Sequence, residues 1–365
     1  MKVLRTEIYK LSIPMEPFTI ATGTMRFAQN TFLRIHTENG MIGVGECSAF
    51  PMIVGETQNT CFEMAKDFAA LWKGKDARDI KSRMQELHAF TANNSTIKSA
   101  FDMALYDLAA KDAGKPLYEF LGGKKKVLET DLTIGIGTPD QMAKQAVDFI
   151  NRGVRIIKIK LGKNAVEDIE RVRKIRHAVG EKIVLRLDAN QGWNFEDAKY
   201  ALNEMAKSDI EFCEQPMRKW EDHKLPELKR QSDIPIMADE SVFDHHDAER
   251  LIAEDSCTFM NIKFAKSGGI LEAEKINRVC EQNNIACMMG GMLESRLALT
   301  AFAHFATAHN NIKFYDMDTC LLGHKVDPVF GGVRYNGFFL ELSDASGIGA
   351  EIDESFLKTC ESVII

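Results

Sequence analysis

Lys160, Asp188, Glu214, Asp239 and Lys266 follow one another at intervals of 28, 26, 25 and 27 residues. Each stands at or just past the end of a short apolar run: IIKIKLG, IVLRLDANQG, EFCEQP, PIMADES and FMNIKFAKSGG. Short runs rich in branched residues are what parallel strands buried on both faces require. The interval is the length of one strand-plus-helix unit, and in a barrel of such units the active site is built where the strands end. Three carboxylates flanked by two lysines at five consecutive strand ends describe a hard-cation site with a base on either side. Such a site suits removal of a proton from a carbon next to a carboxylate.

The three acidic residues offer only oxygen ligands, with no His or Cys among them, which matches Mg²⁺ in a shell completed by water and substrate. A single Asp after a strand is more often a helix N-cap. Three in consecutive units, with Asn190, Gln215 and Glu240 beside them, favour the metal. Lys158 and Lys160 are two apart on a strand and point to the same face, into the barrel. Two ammonium groups beside a dication are expected to lower each other's pKa, which makes a lysine a base near neutral pH. Lys266 lies after strand six, across the barrel from Lys160 on strand two, and the Ser-Gly-Gly after it is expected to let backbone approach a ligand closely. Asp316 and Asp318 are again two apart on the last strand, where they form a counter-charge for a cationic substrate group. Thr133 and the loop Gly290–Ser295, with Met292 and Glu294, occupy strand ends one and seven and could line the pocket. His304 and His309 sit in an apolar helical stretch and read as structural.

The elements that must position these residues form two units. Residues 1 to about 50 carry antiparallel signals, and Asn39-Gly40 between TFLRIHT and MIGVGEC predicts a hairpin turn of the primed type. A helix is expected from an N-cap near Asn94-Ser95, with Ile97, Phe101, Ala104, Leu105 and Leu108 on one face, stopping at Gly114. These make an α+β domain over 1–125. From Glu129 the pattern alternates strictly, with strands near 131, 156, 184, 211, 235, 259, 286 and 313, and predicts a (β/α) barrel over 126–330. The tail 331–365 reads as strand and loop that fold back to complete the first domain.

Composition excludes other classes. The 365 residues are 45% hydrophobic with a net charge of −7, and the only basic block is Lys124-Lys125-Lys126. Nucleic acid and anionic membranes are therefore not expected partners. No apolar stretch approaches a membrane span and the N-terminus has no signal-like core, so the expected location is the cytoplasm. The eight cysteines are scattered without a CxxC pair and read as reduced thiols.

On these residues the chain resembles the enolase superfamily, in its muconate-lactonizing-enzyme subgroup, and most closely the dipeptide epimerases. The resemblance is carried by Lys158-x-Lys160, Asp188-Ala-Asn190-Gln191, Glu214-Gln215-Pro216, Ala238-Asp239-Glu240-Ser241, Lys266-Ser-Gly-Gly269 and, in the first domain, ALYDLAAKDAGKPLYEFLGG. It implies a (β/α)7β-type modified TIM barrel under an α+β capping domain, one Mg²⁺ on Asp188, Glu214 and Asp239, and Lys160 and Lys266 as acid/base catalysts. The implied reaction inverts the α-carbon of a dipeptide's C-terminal residue by two-base proton transfer through an enediolate, with Asp316 and Asp318 binding the α-ammonium group and Lys158 a further substrate contact. In family members acting on Ala-Glu, an arginine after a Pro-Phe pair binds the side-chain carboxylate. Counted from Pro17-Phe18 that position is Gly23, and Arg26 is the only cation nearby. Ile20, Met25, Phe50 and Ile53 leave these loops mostly apolar, so D/L-Ala-Xaa dipeptides with small or hydrophobic Xaa are expected. The alternatives are an Ala-Glu epimerase, a cycloisomerase or o-succinylbenzoate synthase of the same subgroup, or an inactive barrel used as a binding protein. Whether the chain forms a homo-oligomer is left open.

Overall fold

A computed structural model describes residues 1–365. Its N-terminal part is an antiparallel sheet of β1 (Val3–Ile20), β2 (Gly23–Thr37) and β3 (Ile42–Ser48). Alternation along β1 buries Leu11, Ile13 and Met15 on one face, and Ile8 is buried on the other. The pairing with β2 slips between Pro14 and Phe18, which lets the far end of the hairpin bend away. The β2–β3 turn is not of the primed type. Gly40 is left-handed, with φ 81°, but Asn39 is not, and Thr37 N donates to Met41 O at 3.0 Å. Three residues lie between the paired positions, and a loop of that length takes a type I turn ending in a left-handed glycine.

Three helices follow: α1 (Gln58–Trp72), α2 (Ile80–Phe90) and α3 (Ser95–Asp112). The expected face of α3 is buried, yet so is every residue from Thr96 to Leu108, because the helix is covered on more than one side. Gly43 and Gly45 of β3 allow this. A Cβ on Gly45 would lie 1.9 Å from the Ala100 carbonyl oxygen and one on Gly43 2.4 Å from that of Ala104. The expected N-cap also differs. Asn94 is left-handed and its side chain caps nothing; the Glu56 carboxylate instead accepts from Thr96 N at 2.8 Å and Ile97 N at 3.4 Å.

The second sheet holds eight parallel strands in sequence order: β4 (Leu132–Ile134), β5 (Ile156–Lys160), β6 (Val184–Asp188), β7 (Ile210–Glu214), β8 (Ile236–Ala238), β9 (Phe259–Ile262), β10 (Ala286–Gly290) and β11 (Ile312–Asp316). Asp131 N donates to Tyr315 O at 3.2 Å and brings the last strand back to the first. The seven connecting helices are α4 (Pro139–Asn151), α5 (Ala165–Val179), α6 (Phe195–Met205), α7 (Leu225–Gln231), α8 (His245–Ala253), α9 (Ile270–Gln282) and α10 (Arg296–Ala308). No such helix follows β11, so the architecture is (β/α)7β. Side-chain caps start many of the helices: Thr138 with Gln141 in a capping box on α4, Asn164 on α5, Asn194 on α6 and Asp244 on α8. Inside the barrel Phe212, Met237 and Met288, with Phe259 and Phe314 against them, make an apolar floor. A last strand, β12 (Ser362–Ile364), pairs antiparallel with β1 through Glu7↔Ile364. No helix is long and apolar enough to cross a membrane.

His304 on α10 joins distant segments. Its Nδ1 accepts from Tyr118 N at 3.0 Å and its Nε2 donates to Ile348 O at 3.1 Å. Burial lowers its pKa to about 4, and burial lowers His309 and His324 to about 4 as well. The folded pKa lies below the unfolded value of about 6.5, so the unfolded chain binds more protons between these values and stability is lost as pH falls from about 6.5 to 4. The thermal midpoint is expected to drop over that window. For His304 the full effect is on the order of 3 kcal/mol, and the His304→Gln variant should flatten the slope. An equal slope in the variant would remove His304 as its source.

Candidate active site

The floor of apolar side chains is topped by charged rungs. In register across neighbouring strands, Lys158 sits beside Thr133 and Arg186, Lys160 beside Asp188, and Asp188 beside Glu214. Lys158, Asp188 and Glu214 are fully buried and Asp239 and Lys266 are 1% exposed. Charges in such a place persist only when paired.

The pairing brings the five spaced residues together. Lys160 Nζ donates to Asp188 Oδ2 at 2.6 Å. Across the barrel, Lys266 Nζ lies 2.5 Å from Asp239 Oδ1 and donates to Asn261 O at 3.1 Å. Lys158 Nζ lies 2.7 Å from Asp316 Oδ2, 2.6 Å from Glu214 Oε2 and 3.1 Å from Asp188 Oδ2. The backbone just past the carboxylates turns sharply: Asn190, Gln191 and Gln215 have φ of 41°, 66° and 35°. Gln215 pins the next strand end, its Oε1 accepting from Asp239 N at 2.9 Å and Ser241 N at 3.2 Å.

Burial raises the Asp188 carboxyl, but Lys160 and Lys158 outweigh it and hold it at about 2. Burial, then the Asp188 charge, pushes Glu214 up to about 8, and burial with Asp239 pushes Glu240 up to about 7. The lowering expected of Lys158 beside Lys160 is not found: burial is overcome by Asp316, Glu214 and Asp188, which raise Lys158 well above the usual lysine value. Three carboxylates within contact distance outweigh one neighbouring ammonium group. Burial lowers Lys266 across the barrel.

At strand end one, Thr133 N donates to Asp318 Oδ2 at 2.7 Å. At strand end seven, Glu294 Oε2 accepts from Met292 N at 2.6 Å, and burial pushes this carboxyl up to about 7. Sequence spacing missed four residues that belong here. Asp131 joins Asp316 and Asp318 in a buried carboxylate cluster with one oxygen of each within 4.8 Å of the others. Arg186 Nη1 binds Asp131 Oδ2 at 2.8 Å. Lys263 Nζ lies 2.9 Å from Asp239 Oδ2, and Asn261 Nδ2 donates to Glu214 Oε1 at 2.7 Å. Two-residue periodicity within the strands was the available signal: Asp131 with Thr133, Arg186 with Asp188, Asn261 with Lys263.

Whether Asp188, Glu214 and Asp239 suit a divalent cation can be tested on the oxygens gathered there. Glu214 Oε2 and both Asp239 oxygens are matched by lysine ammonium groups alone, Lys158 at 2.6 Å, Lys263 at 2.9 Å and Lys266 at 2.5 Å, and accept from no backbone N–H. Asn190 Oδ1, Glu240 Oε2 and Asn261 Oδ1 are buried and unmatched. Three buried carboxylates with these unmatched oxygens beside them are an all-oxygen donor set of the kind a hard cation takes. The Asp131–Asp316–Asp318 cluster is the more closely gathered acidic group, but Arg186 and Lys158 already neutralise part of it.

The β1–β2 hairpin covers this site. Glu16 N donates to Gly323 O at 2.9 Å, Lys325 N to Pro14 O at 2.8 Å and Ile136 N to Thr19 O at 2.9 Å. A cavity of about 410 Å³ touches Phe18, Thr19, Thr133 and Leu322 on one side, and one of about 1260 Å³ touches Ile53, Glu240 and Lys266 on the other.

A barrel of this kind under an N-terminal α+β unit, with opposed lysines on a carboxylate cluster, defines an enolase-type enzyme. Two sequence families match the chain: "Mandelate racemase / muconate lactonizing enzyme, N-terminal domain" over 4–122 and "Enolase C-terminal domain-like" over 141–356. The chain belongs to this mandelate racemase/muconate lactonizing enzyme family of the enolase superfamily. It is 43% identical to the D-Ala-D/L-Ala epimerase of Cytophaga hutchinsonii, with 100% of both chains covered. The crystal structure of the dipeptide epimerase from that organism, complexed with Mg and D-Ala-L-Val, superimposes with a TM-score of 0.99 over 100% of both chains. The hydrophobic dipeptide epimerase of Enterococcus faecalis is 39% identical over 96% of this chain and 99% of its own. The L-Ala-D/L-Glu epimerase of Bacillus subtilis is 36% identical over 96% of each.

Proposed function

We propose that the chain is a Mg²⁺-dependent dipeptide epimerase, an isomerase that inverts the α-carbon of the C-terminal residue with two lysine bases. The observation that carries this reading is that Lys160 and Lys266 reach one carboxylate cluster from opposite sides of the barrel, on Asp188 and Asp239. Asp188, Glu214 and Asp239 would hold the ion, and the buried all-oxygen donor set they make with Asn190, Glu240 and Asn261 supports this. When bound, Mg²⁺ would supply positive charge against the substrate carboxylate and the charge that builds there as the α-proton leaves. One lysine, neutral at Nζ, takes that proton; the other, as ammonium, delivers a proton to the opposite face. Burial of Lys266 favours its neutral form. Lys158 remains an ammonium among three carboxylates and acts as a fixed charge that orients them. Asp316 and Asp318, with Asp131 behind them, receive the dipeptide's α-ammonium group, and an acidic cluster of this kind disfavours the anionic substrates of cycloisomerases. Thr133 holds Asp318, and Met292 and Glu294 border the pocket. Residues 1–125 with 331–365 serve as the cap and 126–330 as the catalytic barrel. All eight cysteines are free thiols, which supports a cytoplasmic setting.

The reaction is tested by incubating mixed dipeptides in D₂O and reading a mass gain of one deuterium at the C-terminal residue. No gain on any dipeptide would refute the reading.

The substrate's second residue is small or hydrophobic. Ile20 and Phe50 are buried apolar residues on the two loops of the cap. Gly23 carries no side chain, Met52 is its nearest neighbour, and Arg26 is exposed. A γ-carboxylate would enter unpaired, which is costly. Dipeptides ending in Ala, Val or Leu are expected to exceed Ala-Glu in kcat/KM by about ten- to a hundred-fold, and Arg26→Ala should leave the order unchanged. Ala-Glu as the best substrate, lost selectively in Arg26→Ala, would reverse the assignment.

A further inference from the structure

Lys266 is carried on a one-turn helix, Phe264–Ser267, and α3 of the cap grips the chain on both sides of it. One residue before Lys266, the Ala265 carbonyl accepts from Ser95 Oγ and from Thr96 Oγ1, each at 3.2 Å. Beyond it, the Asp102 carboxylate accepts through Oδ2 from Ile270 N and, at 3.4 Å, from Leu271 N. These are the first N–H groups of α9, whose own N-cap position is Gly269 and offers no side chain. Gly269 has φ 119°, and a Cβ on it would lie 2.5 Å from the Asp102 Cβ, so the close approach of α3 requires glycine there. Asp102 is fully buried, its Oδ1 has no partner, and burial pushes its carboxyl well above the usual range despite the two N–H groups. A carboxylate is an expensive choice for such a position unless its placement matters.

We infer that Asp102, with Ser95 and Thr96, positions Lys266, so that the cap sets the reach of one of the two bases and not the other. Lys160 lies within β5 and has no such tie to α3. The inference rests on the reading of Lys266 as a base. Misplacing a reacting group by about 1 Å costs on the order of a hundred-fold, so loosening α3 from this segment unbalances the two faces of the reaction.

The test measures α-proton exchange in D₂O for each epimer of the best dipeptide, using the full chain with saturating Mg²⁺. Lys266→Ala identifies the epimer that depends on Lys266. Asp102→Ala is expected to slow exchange of that epimer by on the order of ten- to a hundred-fold while the other stays within about twofold. Ser95→Ala/Thr96→Val, which removes the clamp at Ala265 without emptying the core, should shift the ratio the same way and decides the matter if Asp102→Ala does not fold. Asp107→Ala is the control. That buried α3 carboxylate bonds to Val44 N at 3.0 Å and Ile348 N at 2.7 Å, away from Lys266, so its loss should lower the thermal midpoint with the ratio unchanged. Equal slowing of both epimers in Asp102→Ala and in the double variant would reduce Asp102 to a structural role. Absence of exchange in the unmutated protein would sink the catalytic reading, and this inference with it.

Discussion

Alanine at Lys160 or at Lys266 is expected to lower epimerisation by about 10²- to 10⁴-fold, the usual contribution of a positioned acid or base. The two variants should differ in what they retain. Each keeps the base for one face, so Lys160→Ala should still exchange the α-proton of one epimer in D₂O and Lys266→Ala that of the other. The geometry requires this opposition because the two Nζ atoms contact Asp188 and Asp239 from opposite walls of the barrel. Each substitution leaves a buried carboxylate short of its partner, so thermal unfolding must be followed alongside exchange. Exchange of both epimers by both variants would show that another group removes the proton.

Removal of the metal is the second large effect. Neutralising the substrate's carboxylate is the term a proton abstraction next to it most needs, and the removal of a single such stabilising group commonly costs about 10²- to 10³-fold. Exhaustive chelation is therefore expected to abolish detectable turnover, and Mg²⁺ to restore it. Asp239→Asn should weaken Mg²⁺ binding, shifting half-saturation to higher concentration, because it removes the negative charge and one oxygen of a ligand. Undiminished turnover after chelation would separate these carboxylates from the chemistry.

The barrel was legible because its strands are apolar runs at a near-constant period, and the five charged residues at or just past their ends recur with it. What lay one step deeper was hidden. Asp131, Arg186, Asn261 and Lys263 are polar residues within or next to strands, and alternation alone does not distinguish a side chain aimed into a barrel from one aimed at solvent. The fate of Lys158 depended on how many carboxylates converge on it, which no pairwise spacing reveals. The turn at Gly40 and the cap of α3 were misread for a related reason. Asn-Gly and Asn-Ser are locally suited to the expected geometries, but strand register decided the first and Glu56, distant in sequence, the second. The close approach of Gly269 to a carboxylate on another helix was likewise out of reach of any local pattern.

The strand Ser362–Ile364 lies along the open side of β1 at residues 7–9. At translation rates of about 5–20 residues per second, roughly 20 to 70 s separate synthesis of these partners. Throughout that interval the outer edge of β1 lacks its native neighbour, and an unsatisfied strand edge is a template for pairing with other chains. The earliest-made strand is thus among the last to be completed, and nascent chains of this protein pass through a window in which dilution or a chaperone decides between folding and association.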